Sequence, residues 1–314
     1  MYSTTLTVIA VLLGAVNVLL PMLFTMSEDL FVLISLVILH VLISSSFMLY
    51  FTFHLKMRAL RNKEDWYDKL RQVHVMDLSL RKQDNSLPSI FLGIPIIITL
   101  ALITYTYMNY DTIPDVFPTH WGITGEPDAW SEKSILSVIM LPIVLLGIQV
   151  MMLCMSVAMK GSRMKLNVNK KAQSAKRVLD MRKYSSWYFA LISYSVTILF
   201  VFLHHMTMLR QDMDITYFWI MLVCSIGVTL GGAILFMMKT RNIQENFTEQ
   251  VQSNVTDIDE DQYWKAGIFY FNENDPSILV EKRSGVGWTL NFGNKWSYLI
   301  VFIPLAPIIF IFFI

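Results

Sequence analysis

The sequence predicts an all-α polytopic membrane protein with about seven transmembrane helices. Its N-terminus is inside, and a small cytoplasmic β-hairpin module precedes the last span. Three observations predict this. The 314 residues are 54% hydrophobic and only 16% charged, against about 25% charged in an ordinary soluble domain. The deficit is concentrated in seven uncharged apolar runs, each near the roughly 20 residues that cross a bilayer core. The basic residues collect in alternate loops, as cytoplasmic loops do.

The runs are 6–25, 30–53, 87–108, 135–159, 187–208, 216–238 and 298–314. The last is the shortest, at 17 residues. The first has no basic leader and no small-residue cleavage site, so it reads as a retained span rather than a signal peptide. Cys154 and Cys224 both fall inside spans and read as packing thiols without a disulfide framework.

Orientation follows from charge. Loops 54–86, 160–186 and 239–297 hold eight, nine and six basic residues, 23 of the 25 in the chain. The opposite side has Lys133 and Arg210 against nine carboxylates. The N-terminus is therefore expected inside the cell and the loop 111–133 outside. The chain divides into spans one to three with a cytoplasmic amphipathic loop (1–110), an extracellular loop (111–134), spans four to six (135–238), a cytoplasmic module (239–296) and the last span (297–314).

The first inner loop, 56–81, interleaves charges with Leu60, Trp66, Tyr67, Leu70, Val73, Val75 and Leu78. That pattern predicts an amphipathic helix on the inner membrane surface. The basic stretch 160–183 is expected to continue the fourth span and anchor to lipid headgroups. The lipid bilayer is thus one partner. Direct nucleic-acid binding is not needed to explain the charge. Residues 246–261 read as an acidic linker with formal glycosylation sequons at Asn246 and Asn254, placed inside by the topology. Residues 263–296 hold eight aromatics around the turn-like Asn272-Glu-Asn-Asp-Pro276. They read as a β-hairpin module docked on the cytoplasmic ends of the spans.

The outer loop concentrates the chemistry. It contains Pro118-Thr-His120-Trp121-Gly and Gly125-Glu126-Pro127-Asp128-Ala-Trp130-Ser-Glu-Lys133. Two Pro/Gly turns fold His120 back towards Asp128, and Trp121 and Trp130 suit the headgroup belt. A His–carboxylate pair can be a general base, a metal half-site or a structural hydrogen bond. With no serine or cysteine nucleophile beside it, the structural pair is preferred. His120 with His204 and His205 forms a weak candidate metal site, although adjacent helical histidines point about 100° apart. Within the spans, Asn17, His40 and Gln149 are the polar residues near mid-membrane. A neutral His40 bonded across helices is preferred to a proton or substrate path. No Walker loop, dinucleotide-binding glycine pattern or zinc helix is present, and no cofactor is implied.

Pro118, His120, Gly125, Pro127, Asp128, Trp130 and Lys133 resemble the extracellular signature of the SdpI-like toxin-immunity family of bacterial membrane proteins. A second segment resembles an uncharacterised C-terminal module of longer relatives. It is carried by Tyr263, Trp264, Gly267, Tyr270, Asn272, Asp275, Pro276, Glu281, Arg283, Gly285, Gly287, Trp288 and Asn291. The resemblance implies toxin neutralisation and sequestration of a repressor at the bacterial plasma membrane. The function expected is a non-enzymatic immunity or sensory protein, with an extracellular peptide toxin and a cytoplasmic transcriptional regulator as partners. One alternative is a small-solute or lipid transporter. Another is a membrane enzyme using His120 with Asp128 or Glu126.

Overall fold

The computed structural model describes residues 2–24, 27–64, 71–73, 78–121, 126–164, 166–167, 170–208, 214–245, 255–257, 260–283 and 287–311. They are mostly helical. Five helices are long and apolar enough to cross a membrane: Leu30–Arg61, Ile90–Met108, Ile135–Gly161, Lys171–Met208 and Ile215–Thr240. Two shorter apolar helices, Thr5–Leu20 and Trp296–Ala306, accompany them. Most of their large side chains face outward, as a lipid-embedded surface requires.

The chain forms two units. The first comprises Met1–Arg71 with Trp264–Ile268. Its helices α1 (Tyr2–Leu23) and α2 (Glu28–Glu64) pack together, and Ser35 donates to Asn17 Oδ1 at 3.0 Å. Helix α2 runs beyond the apolar run 30–53 and ends with Arg61 and Lys63, cations suited to a helix C-terminus. Tyr50 on α2 donates to the Gly267 carbonyl at 2.9 Å. Gly267 has φ +72°, and a Cβ there would lie 2.6 Å from His54 Nδ1. Only glycine meets both demands.

The amphipathic helix expected over 56–81 does not form as one piece. Helix α2 stops at Glu64; a short strand, Arg71–Val73, and a 3-10 helix, Leu78–Gln83, follow. Leu80 is buried with Met164, Leu166 and Val178. Packing among the loops, rather than a lipid surface, takes up that apolar side chain. Trp66, Tyr67, Leu70 and Val75 lie outside the described residues, as do the sequon asparagines Asn246 and Asn254.

The second unit comprises Gln72–Tyr263 and Phe269–Ile314. It contains α3 (Ile90–Met108), the hairpin β1 (Val116–Trp121) and β2 (Pro127–Glu132), then α4 (Ile135–Gly161), α5 (Lys171–Met208) and α6 (Ile215–Glu245). The hairpin β3 (Leu279–Glu281) and β4 (Trp288–Leu290) leads to α7 (Trp296–Ile311). Helix α4 is central, packing on α3, α5 and α7. Its interface with α3 and α5 carries a polar seam. Gln149 donates to Thr99 and Thr197, both at 2.8 Å, and Thr106 meets His204 at 2.7 Å. Small hydroxyl residues let membrane helices approach closely and bond across the gap.

The basic stretch after the fourth apolar run belongs to α5, not α4. Helix α4 ends at Gly161, and Ser162 turns the chain into an extended conformation. The helix resumes at Lys171. Arg182 fixes this break by donating to the Ser162 carbonyl at 2.7 Å and the Lys160 carbonyl at 3.2 Å. Those carbonyls at the end of α4 would otherwise lack partners.

Candidate functional site

The unit has two chemically distinct ends, and α4 runs between them. At one end stands the β1–β2 hairpin. Its antiparallel register pairs Val116 with Glu132 and Pro118 with Trp130, then slips so that His120 faces Ala129. The slip leaves Thr119 unpaired, a bulge of the kind that re-aims a side chain. His120 Nδ1 comes to 2.5 Å from Asp128 Oδ1, with both side chains mainly in the open, 69% and 52% exposed. This differs from the expectation of two Pro/Gly turns: a strand ladder organises most of the loop. Gly125 lies outside the described residues.

The hairpin is seated from below. Phe117 is fully buried with Ile113, Val138 and Met208, and Pro118 is buried beside it. Trp121 stacks on Phe218 of α6 with ring centroids 6.3 Å apart. Lys133 closes the base. Its Nζ donates to the Ile113 carbonyl at 2.7 Å and lies 4.7 Å from the Tyr110 ring centre, a cation–π distance. Ser134 then caps α4 through reciprocal bonds with Ser137, so strand passes into helix with only Lys133 and Ser134 between them. Glu126, Pro127, Asp128 and Trp130 remain exposed on the rim. The arrangement offers a carboxylate, an imidazole and an indole to a ligand.

The other end holds the module. Asn291 is fully buried and is its hub. Its amide protons are shared among the carbonyls of Asn272, Asp275 and Ser277 at 2.9, 3.0 and 3.2 Å. Its oxygen accepts from the backbone N–H of Asn272 and Gly293, both at 3.0 Å. Asp275 and Asn272 also meet the Tyr270 hydroxyl. Burial pushes the Tyr270 phenol up to about 12. The β-hairpin is displaced from its expected place. It closes between Glu281 and Trp288, while Asn272–Pro276 is a side-chain-bonded turn knitted to Asn291. An Asn/Asp-rich turn can satisfy its own backbone without strand pairing. Gly285 lies outside the described residues; Gly287, at φ +106°, ends the connection.

Ion pairs tie the module to the loop between α4 and α5 and to the first turns of α5, and close the module on itself. Arg163 pairs with Glu260 and reaches Asp275 at 4.0 Å. Arg177 pairs with Glu281, and Arg283 pairs with Asp261 at 2.5 Å. Burial opposes the charge on Arg163, but the carboxylates of Glu260 and Asp275 raise its pKa overall. Deeper in, Arg182 is 1% exposed and holds Asp84 at 3.1 Å. Burial alone would raise Asp84, but hydrogen bonds from Ser86 and Arg182 bring it below the usual carboxylate value. Lys160 donates to the Leu87 carbonyl at 2.6 Å. Sequence reading missed Asp84, Arg163, Arg177, Arg182 and Glu260. Each sits in a charge-rich stretch of sequence, Arg177 and Arg182 on α5 and the others in loops, and its partner is a distant residue that local pattern cannot assign.

The other anticipated residues are placed as follows. His40 bonds the Leu36 carbonyl of its own helix at 2.7 Å, not a second helix, and faces outward. An unsatisfied imidazole nitrogen in an apolar medium finds its nearest acceptor one turn back. His204 is consumed by Thr106 and is fully buried. Among the described residues, no three His, Cys, Asp or Glu side chains come together to hold a metal ion. Cys154 packs among Met155, Phe189 and Leu279. Trp264 is buried, and the turn it starts places Ala266 and Gly267 both at positive φ.

Two family models match segments of the chain. One, described as a domain of unknown function (DUF1648), covers residues 96–146. The other, described as a family of unknown function (DUF5808), covers residues 274–298. The first spans α3 from residue 96, the outer hairpin and the start of α4; the second spans the later part of the module, with the β3–β4 hairpin, and the start of α7. Neither description names a toxin-immunity family. No curated protein and no solved structure matches the chain.

Proposed function

We propose that this chain is an immunity or sensory protein of a bacterial plasma membrane, without enzymatic activity. It crosses the membrane seven times with its N-terminus inside. The β1–β2 hairpin engages an extracellular antimicrobial peptide, and the module offers a cytoplasmic face to a transcriptional regulator. One observation carries the reading. A single 27-residue helix, α4, is capped at one end by the residue after the hairpin base and ends at the other in the ion-paired loop that holds the module. At 1.5 Å per residue it is about 40 Å long, more than a bilayer core. The charge asymmetry supports the same orientation, with the acidic hairpin outside and the basic loop inside. The exposed His120–Asp128 pair and Trp130 form a rim suited to docking a cationic, apolar peptide. The resemblance of the rim residues to SdpI-like proteins points the same way.

The test is survival. Bacteria carrying or lacking the gene are challenged with secreted antimicrobial peptides. Protection that requires the chain, and that is lost in Asp128→Ala/Trp130→Ala while membrane expression holds, is the expected result. Equal survival across the panel would remove the immunity reading.

A further inference from the structure

Two hollows lie along α5. The first, about 830 Å³, has an apolar floor that includes Leu80 and Leu179 and a basic rim; Asn85, Lys171, Lys176 and Lys183 line it, with Asp180 the single carboxylate. The second, about 600 Å³, is apolar and aromatic; Leu87, Phe91, Trp187, Leu191, Tyr194 and Leu235 line it, with Lys239 among its further walls. We propose that together they bind one anionic phospholipid. Its phosphate sits on Lys176 and Lys183, and an acyl chain lies along Phe91, Trp187 and Leu191.

The two hollows share a line on α5. Lys176, Lys183, Trp187 and Tyr194 are spaced by seven, four and seven residues, which sets them on one helical face. Polarity changes along that line between Lys183 and Trp187. The opposite wall changes at a matching point, from Gln83 and Asn85 to Leu87 and Phe91. On α6, Lys239 borders the second hollow, after the apolar stretch that holds Leu235. The last charges before the apolar runs therefore mark one level, where a headgroup belongs, with Trp187 a turn beyond it as an interfacial aromatic.

The apolar half is built rather than accidental. A Cβ on Gly232 would lie 2.3 Å from Leu191 Cδ2, so glycine permits the close α5–α6 approach that forms its floor. Tyr188 stacks on Phe236 with centroids 5.6 Å apart. The Tyr194 hydroxyl donates to the Phe91 carbonyl at 2.9 Å, so that polar group is satisfied within the protein. Charge selects the occupant. Three lysines stand against the single carboxylate Asp180 in the first hollow. Basic pockets between helices on the cytoplasmic side recognise anionic headgroups. A free phosphate would leave the aromatic half unused, and a zwitterionic lipid would leave the lysines without a net counter-charge.

The test uses the purified full-length chain in detergent and does not involve any peptide, so it stands apart from the immunity assay. Phosphatidylglycerol, phosphatidylcholine of the same chains and inorganic phosphate are each added, and bound mass and melting temperature are read. Phosphatidylglycerol is expected to remain bound and raise the melting temperature, and the other two are not. Lys176→Gln/Lys183→Gln is expected to weaken it roughly thirtyfold, the order set by losing two lysines facing an anionic surface. Lys176→Arg/Lys183→Arg is expected to retain it. Equal retention of phosphatidylcholine, an equal shift with phosphate, or unchanged binding in the glutamine variant would each overturn the proposal. Should the glutamine variant fail to fold, the three-way comparison on the unaltered chain decides alone.

Discussion

At residue scale, single side chains concentrate the constraints. Asn291 satisfies three carbonyls and two amide N–H groups from a fully buried position. Asn291→Asp exchanges its donors for a carboxylate oxygen facing those carbonyls. The expected loss is on the order of 3 kcal/mol or more, because several buried polar groups lose partners at once. Denaturant unfolding followed by module tryptophan fluorescence checks it; an unchanged midpoint would contradict the hub role. Gly267→Ala is expected to destabilise by about 1–2 kcal/mol from its left-handed φ alone, and further through the approach to His54. The outer pair behaves differently. His120 and Asp128 are exposed, so His120→Ala is expected to cost at most about 1 kcal/mol in stability. A larger drop in melting temperature would mean that the pair supports the fold itself.

The element scale is where charge and helix ends meet. Arg182 joins the end of α4, the segment leading into α3 through Asp84, and α5 itself. Removing it leaves the half-buried Asp84 carboxylate with only its Ser86 hydrogen bonds and takes the donor from two carbonyls. Arg182→Ala is therefore expected to cost about 3–5 kcal/mol, read as loss of folded yield in detergent. The folded-state pKa of Asp84 is depressed, so its stabilising contribution is present above the unfolded value near 4. That contribution is lost as pH falls through the folded value. Melting temperature should fall below about pH 4, and Asp84→Asn should flatten that fall. Tyr270 has the opposite sign. Its phenol is held near 12, so the contribution of the neutral form is full below pH 10 and lost as pH rises through 12. Tyr270→Phe should remove that alkaline dependence.

These same elements show what sequence can read. The apolar runs marked the helices because bilayer length is a one-dimensional constraint. His120 and Asp128 could be paired because eight residues across one loop are a local relation. The ion pairs Arg182–Asp84, Arg163–Glu260 and Arg177–Glu281 each link residues about a hundred positions apart. Nothing local announces them. The hairpin in the module was displaced because an Asn/Asp turn and a strand turn share composition; Asn291, distant in sequence, decides between them. The break after Gly161 was likewise invisible, since only the buried Arg182 explains why α4 stops there.

At the scale of the whole molecule, the account rests on the hairpin and the module standing on opposite sides of a membrane, joined by α4. The direct measurement is labelling with a membrane-impermeant maleimide, after Cys154 and Cys224 are replaced by alanine. Single cysteines are placed at the exposed positions Glu126 in the hairpin and Glu273 in the module. In intact cells the cysteine at 126 is expected to label and the one at 273 to stay unmodified until the membrane is permeabilised. Labelling of 273 but not 126 in intact cells, or equal labelling of both, would contradict the account.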